Sequence, residues 1–119
     1  MTDTSQLKTQ GFQPKIYFAD PLFNPMERKF NSDLASRMGQ FSTVFLPQRD
    51  GLLLTELVRN GMAVEKARKQ VFAADCKAVS SCDVLIAVLD GRTVDEGVAF
   101  EIGYANALLK PCIGLKTDD

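Results

Sequence analysis

The chain has 119 residues, a length that predicts one domain rather than two. Hydrophobic residues make up 45% and charged residues 24% of the sequence, which is the composition of an ordinary globular protein. Its 14 basic and 15 acidic residues leave a formal net charge of -1, so no overall electrostatic attraction draws the chain to nucleic acid polymers or anionic membranes. We therefore expect any nucleotide-like ligand to be held by a local site.

Histidine is absent, and this excludes Ser-His-Asp and Cys-His nucleophiles together with nearly all catalytic zinc sites. Acid-base chemistry must come from carboxylates, Lys or Tyr. The odd number of cysteines and the lack of a CxxC spacing are typical of reduced thiols in a cytoplasmic protein. No apolar run approaches the ~18 residues of a membrane span, and residues 1–10 lack a signal-peptide core. The sequence thus predicts a cytoplasmic protein without a membrane partner.

The first 14 residues are polar and aperiodic, and we predict that residues 1–14 form a flexible N-terminal extension. A single domain is then expected to cover residues 15–119. It opens with Lys15–Ala19, a short run rich in Ile, Tyr and Phe that is typical of a buried strand.

A helix and a second strand follow. Asn24 is a suitable helix cap and Pro25 suits the first helical position. The helix is expected to continue to Gly39, with an apolar stripe formed by Met26, Phe30, Leu34 and Met38. The β-branched and aromatic residues 42–46 predict the second strand, and the residues from Pro47 to Gly51 predict a loop.

The second half of the chain repeats this alternation. Residues 52–60 fit either a short helix or a packed loop, whereas the periodicity of residues 62–82 predicts a helix. Residues 84–89 are continuously apolar, as in a strand buried on both faces. A helix over 95–109 and a short strand over 112–115 complete the pattern.

Alternating strands and helices predict an α/β fold with a parallel sheet in three layers, α/β/α. In such sheets ligands bind beyond the carboxyl ends of the strands. We therefore expect the site in the loops that follow Ala19, Leu46 and Leu89.

Two acidic residues occupy helix positions where apolar residues are expected. Glu101 lies in the middle of an apolar stripe, which comprises Gly97, Val98, Tyr104, Ala105 and Leu108. Asp75 is similarly placed, because its neighbours one turn away are Val71, Phe72, Ala78 and Val79. A buried carboxylate is usually paired, protonated or exposed to a ligand cavity, so each acid is either structural or functional.

Asp95 precedes the helix that carries Glu101, and it is either a helix cap or a third acid in the same crevice. Gly97 and Ala105 lie one turn either side of Glu101, where small residues serve either close ligand approach or helix packing. Clustered carboxylates without histidine favour glycosyl transfer, in which one acid attacks the anomeric carbon and a protonated one assists the leaving group. Magnesium binding is the competing interpretation.

Three segments resemble the nucleoside 2-deoxyribosyltransferase family: residues 15–23 (KIYFADPLF), residues 45–48 (FLPQ) and residues 90–105 (DGRTVDEGVAFEIGYA). The resemblance spans roughly residues 15–119, and the Asp-x-Gly-x-x-x-Glu-x-Gly-x-Ala element within it is fairly specific. It implies a flavodoxin-like doubly wound parallel sheet, an activity that transfers 2-deoxyribose between nucleobases, and a homo-oligomer whose sites are completed by a neighbouring subunit. No cofactor or metal is implied.

The resemblance also implies roles for individual residues. Glu101 is expected to be the nucleophile that forms a covalent deoxyribosyl intermediate, and Tyr17 is expected to orient it. Asp75 is expected to handle the proton of the departing or incoming base. Asp95 is expected to contribute to substrate positioning. Gly97 is a candidate for substrate binding on a different ground, because its small size beside Glu101 allows close approach of a ligand.

Two further positions lie beside the predicted sugar pocket. Asp20 stands where the family commonly has glycine, which places an extra acid there that is expected to hinder a 5′-phosphate. Gln48 lies at a strand end, together with Arg49, and is either a contact to the substrate or a solvent-facing loop residue.

Two alternative activities remain open. In a nucleoside or nucleotide N-glycosidase, water would replace the second base. In a non-catalytic nucleotide-binding module, turnover would be lost. Two differences from the family favour this interpretation: Val98 stands where many members have a hydroxyl residue, and the given sequence stops at Asp119, where the family usually continues into a C-terminal segment.

Overall fold

The computed structural model describes residues 13–118. The first twelve residues of the predicted extension lie outside this range. The described part contains four strands and five helices: β1 (Lys15–Ala19), α1 (Pro25–Met38), β2 (Thr43–Phe45), α2 (Pro47–Asp50), α3 (Leu54–Arg59), α4 (Val64–Ser81), β3 (Val84–Val88), α5 (Glu96–Ala107) and β4 (Cys112–Leu115). None of these helices is both long and apolar enough to cross a membrane.

All four strands are parallel and are ordered β2-β1-β3-β4. The chain moves from β1 to one side of the sheet to form β2 and then returns to the other side to form β3. Ile16 consequently pairs with Val44 on one side and with Val84 on the other. This order is that of a flavodoxin-like doubly wound sheet, whose ligand crevice opens at the reversal beside β1. The predicted α/β fold is confirmed.

The sheet separates two hydrophobic cores. One face of β1 and β3 packs on α4 and α5 through Tyr17, Leu85, Val79 and Val98, all of which are at most 1% exposed. The opposite face packs on α1 through Ile16, Phe18, Val44, Ala35 and Met38. The sheet and the helices on its two faces form the predicted three layers, with one core on each side of the sheet.

Helix α1 begins where the sequence predicts, but its buried face differs from the predicted stripe. Met26 is 80% exposed and Phe30 is 39% exposed, while Asn31, Ala35 and Met38 are buried. At about 100° per residue, positions four apart rotate by roughly 40° at each step, so Met26 points about 120° away from Met38. Only the C-terminal half of the stripe therefore faces the sheet.

The segment predicted as a loop after β2 is the short helix α2. Pro47 occupies its first turn, and Asp50 Oδ2 accepts a hydrogen bond of 2.9 Å from the amide of Leu46. Proline at a first helical position is itself a helix-start signal, which the loop prediction overlooked. The ambiguous residues 52–60 contain α3, so the helical alternative is correct there.

A chain of amide hydrogen bonds ties α1 to the loop after β1 and to α2. The buried Asn31 donates from Nδ2 to the carbonyl of Pro21 at 3.0 Å and to Gln48 Oε1 at 3.1 Å. Gln48 Nε2 in turn donates to the carbonyl of Arg28 at 2.8 Å and to Ser32 Oγ at 2.9 Å. These four hydrogen bonds hold the β1–α1 loop in position, because their polar groups would lose their partners if the loop moved.

Replacing Asn31 by Ala should lower the free energy of unfolding by about 2 kcal/mol, because Pro21 and Gln48 lose their shared donor. Urea denaturation of Asn31→Ala, Gln48→Ala and the double variant measures this effect. We expect the double variant to lose about 1 kcal/mol less than the sum of the single losses, since the two amides share one hydrogen bond. Strictly additive losses would contradict the coupling.

Candidate active site

A cavity of about 270 Å³ opens beyond the carboxyl ends of β1 and β2, between α4 and α5. Its wall is formed by the loop after β1, by Pro47 and by one face of each of the two helices. The volume is near the lower end of the range for small-molecule sites. The cavity lies where sequence analysis expects a ligand, at the reversal point of the sheet.

Asp75 from α4 and Glu101 from α5 both line this cavity. Each is partly buried, and burial raises the pKa of Asp75 to about 6. Burial also raises the pKa of Glu101 to about 7, and the charges of Asp75 and Asp95 add to this effect. Both carboxyl groups are therefore expected to gain and lose protons near neutral pH, the range in which general acid-base groups are most effective.

Tyr17 connects Glu101 to the core. Its side chain is fully buried, its ring stacks on Phe45 with centroids 5.4 Å apart, and its hydroxyl donates to Glu101 Oε2. Burial and the charge of Glu101 raise the pKa of Tyr17, so the hydroxyl stays protonated and acts as a donor. Because it donates to the carboxylate, it favours the ionised form of Glu101 and opposes the effect of burial.

Neither Asp75 nor Glu101 forms an ion pair within residues 13–118, where the ion pairs join other side chains. The sequence left open that each acid is a structural residue paired with Lys or Arg. Within the described residues, neither Asp75 nor Glu101 has such a partner. The two carboxylates face a cavity instead. Such uncompensated acids in a cleft are typical of functional sites.

Asp95 serves as a helix cap and also lines the cavity. Its Oδ2 atom accepts hydrogen bonds from the amides of Gly97 at 3.0 Å and of Val98 at 3.2 Å. A Cβ atom on Gly97 would lie 3.2 Å from the same oxygen, so glycine leaves room for this cap. Ala105 is fully buried in the core, which supports the packing explanation for its small size.

Asp20 lines the cavity directly after β1. Burial raises its pKa to about 7, with additional contributions from the negative charges of Glu27, Asp90 and Asp95. The extra acid that the sequence predicts beside a sugar pocket therefore lies in the wall of this cavity.

Gln48 does not line the cavity, and its contact with substrate stays a prediction. Both ends of its amide are bonded to α1 and Asn31, as described above. Arg49 pairs with Asp50 at 2.7 Å and donates to the carbonyl of Val44. From this helix the cavity receives Pro47 instead.

An aromatic pair that the sequence did not predict lines the cavity. Phe72 is 55% exposed and Phe100 is 45% exposed, and their ring centroids lie 5.2 Å apart across the two helices. The sequence pattern places Phe72 on the apolar side of α4. Its spacing of three residues from Asp75 is the one signal in the sequence that indicates a position beside the site. Within the described range, no three His, Cys, Asp or Glu side chains are grouped so as to hold a metal ion.

The free energy of unfolding should fall as pH rises from about 4 to 7. The pKa values of Asp20, Asp75 and Glu101 lie above their ordinary values, so the folded state binds more protons than the unfolded state in this window. The stabilisation is complete below the unfolded pKa values and is lost as pH passes the folded ones. Urea denaturation at pH 5 and pH 8 should show Glu101→Gln stabilised at pH 8 by about 1–2 kcal/mol relative to the parent.

Glu96→Gln is the matched control for this measurement, because Glu96 is exposed in the first turn of the same helix. We expect its pH dependence to equal that of the parent. An unchanged pH dependence in Glu101→Gln would show that Glu101 has an ordinary pKa.

Comparison with known proteins identifies the chain's relatives. A family model described as nucleoside 2-deoxyribosyltransferase matches residues 16–119. A conserved protein from Enterococcus faecalis V583 is similar in structure, with a TM-score of 0.77 and 35% identity over 90% of this chain and 65% of that chain. The chain therefore spans slightly less than two thirds of that protein's length. Comparison with curated proteins finds no match.

Two characterised proteins have similar structures. The 2-deoxyribosyltransferase from the psychrotolerant bacterium Bacillus psychrosaccharolyticus has a TM-score of 0.70 and 29% identity, covering 86% of this chain and 72% of its own. The CMP N-glycosidase BcmB of Clostridium botulinum shares the fold, with a TM-score of 0.59 and 23% identity over 88% of this chain and 70% of that one. With the family match covering nearly all of the described range, the chain belongs to the nucleoside 2-deoxyribosyltransferase family.

Proposed function

We propose that this protein transfers a 2-deoxyribosyl group between nucleobases, with Glu101 as the nucleophile. The observation that carries the proposal is the arrangement around Glu101, which receives the Tyr17 hydroxyl and shares one cavity with Asp75. Membership of the family supports the same activity.

In the first step, a carboxylate oxygen of Glu101 attacks C1′ of a 2′-deoxynucleoside. The glycosidic C1′–N bond breaks, its electron pair goes to the base nitrogen, and Asp75 supplies a proton to the departing base. The products are a free base, a deoxyribosyl ester on Glu101 and an ionised Asp75. This division between a nucleophile and a general acid is that of retaining glycosidases.

In the second step, Asp75 accepts a proton from an incoming base as its nitrogen attacks C1′. The ester bond to Glu101 breaks and the carboxylate is regenerated. Two successive inversions at C1′ retain the configuration of the nucleoside.

The first step requires Glu101 to be ionised and Asp75 to be protonated. Burial raises the pKa of both carboxyl groups, to about 7 for Glu101 and about 6 for Asp75, so a proton is available to the pair near neutral pH. A base nitrogen that accepts a hydrogen bond from Asp75 stabilises its protonated form, whereas the Tyr17 hydroxyl stabilises ionised Glu101. Substrate binding is therefore expected to favour the state in which Asp75 is protonated and Glu101 is ionised.

Hydrolysis is the second candidate, because the mouth of the cavity is open at the exposed rings of Phe72 and Phe100. Water that reaches the ester on Glu101 would release free 2-deoxyribose instead of a new nucleoside. The step before it would be unchanged. The product therefore separates the two activities.

The proposal includes a cytoplasmic role in nucleotide salvage, with a 2′-deoxynucleoside and a free nucleobase as partners and without a cofactor. It also includes a homo-oligomer. Exposed aromatic side chains beside the cavity support this assembly, since clustered apolar surface is typical of protein contacts: Phe23, Phe72 and Phe100.

Incubation with a deoxynucleoside and a different free base should yield the exchanged nucleoside. Glu101→Gln should nearly abolish the exchange, and Asp75→Asn should slow it by about 10²- to 10⁴-fold. Mass spectrometry of protein quenched during turnover should find a deoxyribosyl adduct on Glu101. Chromatography of the products distinguishes exchange from hydrolysis.

The matched control is again Glu96→Gln, which removes an acid from the same helix outside this cavity and should retain the parental rate. Free deoxyribose without exchanged nucleoside would establish the hydrolase. Ligand binding without any turnover would establish a non-catalytic nucleotide-binding module and would refute the proposal.

Tyr17→Phe should lower kcat by about 10- to 100-fold, because one hydrogen bond to a charged carboxylate is lost. Loss of this donor also raises the pKa of Glu101, so the acidic limb of the kcat/KM profile should move to higher pH. Initial rates from pH 5 to pH 9 measure both effects. A lower rate with an unmoved limb would indicate that Tyr17 acts through packing alone.

A further inference from the structure

Tyr17 has a neighbouring side chain on each side within the sheet. The parallel register pairs it with Leu85 of β3 on one side and with Phe45 of β2 on the other. Leu85 is fully buried, and β4 lies beyond it. β2 is the edge strand of the sheet in residues 13–118, so no further strand lies beyond Phe45 there. The ring of Tyr17 is therefore supported by two strands on the β3 side and by one strand on the β2 side.

The Phe45 ring forms a flat wall against the Tyr17 ring. The two ring planes differ by 14°, and their centroids lie 5.4 Å apart. A second cavity, of about 400 Å³, lies between β2 and the C-terminal half of α4. Phe45 lines this cavity and the fully buried Tyr17 does not, so the Phe45 ring separates Tyr17 from the open space. Because an open space offers a ring no packing contacts, Phe45 supplies the contact that opposes a tilt of Tyr17 in this direction.

One ion pair holds the backbone on both sides of Phe45. Arg49 donates to the carbonyl of Val44 at 2.6 Å. Asp50 Oδ2 accepts from the amide of Leu46 at 2.9 Å, and it also pairs with Arg49 at 2.7 Å. Both charged side chains are partly exposed, and such a pair contributes little to stability by its charges alone. Its bonds to the residues before and after Phe45 fix the point at which the ring is attached.

We propose that Phe45 is a positioning residue, which holds the Tyr17 hydroxyl against Glu101 without touching the substrate. This inference rests on the proposed function, in which Glu101 is the nucleophile. A tilt of the Tyr17 ring displaces the hydroxyl most, because this group lies at the end of the side chain. A misplacement of about 1 Å can slow an enzyme by about 10²-fold. Phe45 does not line the cavity that Glu101 and Asp75 share, so it acts through Tyr17.

The first test is Phe45→Leu, which keeps an apolar side chain and removes the flat ring. We expect kcat to fall by about 10-fold with KM nearly unchanged, because residue 45 lies outside the substrate cavity. The acidic limb of the kcat/KM profile should move to higher pH, since a weakened donor leaves Glu101 harder to ionise. Phe41→Leu is the matched control, because Phe41 is 36% exposed and precedes β2. A parental rate and an unmoved limb in folded Phe45→Leu would overturn the inference.

The second test is a double variant that examines the route through Tyr17. Once Tyr17→Phe has removed the hydroxyl, a change at Phe45 has no hydroxyl left to displace. The double variant Tyr17→Phe with Phe45→Leu should therefore match the kcat of Tyr17→Phe to within about 2-fold. Losses that multiply would show that Phe45 acts on the site by another route, and they would overturn the inference.

The free energy of unfolding separates this inference from the proposed function, because its measurement needs no turnover. The pKa of Glu101 is raised, so the stabilisation from this group is present at low pH and is lost as pH rises. Asp75, Asp95 and Tyr17 act on the charge of Glu101, and Phe45→Leu leaves all three in the chain. A weaker bond from Tyr17 raises the pKa of Glu101 further.

The loss of stability between pH 5 and pH 8 should therefore be larger in Phe45→Leu than in the parent, and Glu101→Gln should remove this difference. A larger loss in a protein that turns over no substrate would support the role of Phe45 and refute the proposed function. Exchange activity with an equal pH dependence of stability and an unmoved limb would leave the proposed function intact and refute the role of Phe45.

Discussion

The hydrogen bond from Tyr17 to Glu101 joins the core of the sheet to the cavity, and the rest of the site is arranged around it. Tyr17 belongs to the central strand β1 and is fully buried, so its hydroxyl has a fixed position. It meets a carboxylate on α5, a helix that Asp95 caps at its start. A carboxylate held in this way has little conformational freedom left to lose when a ligand binds beside it.

The same arrangement opposes stability. Asp20, Asp75 and Glu101 are partly buried without ion pairs in the described range, and their raised pKa values show that their charged forms are disfavoured. A stabilising alternative would bring Lys or Arg into contact with these acids. A cation there would hold both members of the Asp75–Glu101 pair ionised and lower their pKa values out of the neutral range. The free energy lost by keeping the acids unpaired is consistent with a catalytic role.

Much of this fold could be predicted from the sequence, because β1, α1, β3 and β4 each carry a strong local pattern and begin and end near the expected residues. The inward positions of Asp75 and Glu101 also followed from helical periodicity. The face of α1 could not be predicted from its apolar residues, since the buried amide of Asn31 replaces part of the expected stripe. The contacts of Gln48 could not be predicted either, because its partners are backbone and side-chain groups that come together only in the folded chain.

The amide chain through Asn31 and Gln48 has a consequence for the cavity, because it bonds to the carbonyl of Pro21. Pro21 follows Asp20 and lines the cavity, so the position of this part of the cavity wall is set by the packing of α1 and not by the strand alone. The loop after β1 is thus fixed from one face of the sheet while Glu101 is fixed from the other. In a doubly wound sheet the ligand crevice lies at the carboxyl ends of the strands beside the reversal point, and the cavity that Glu101 and Asp20 both line is found there.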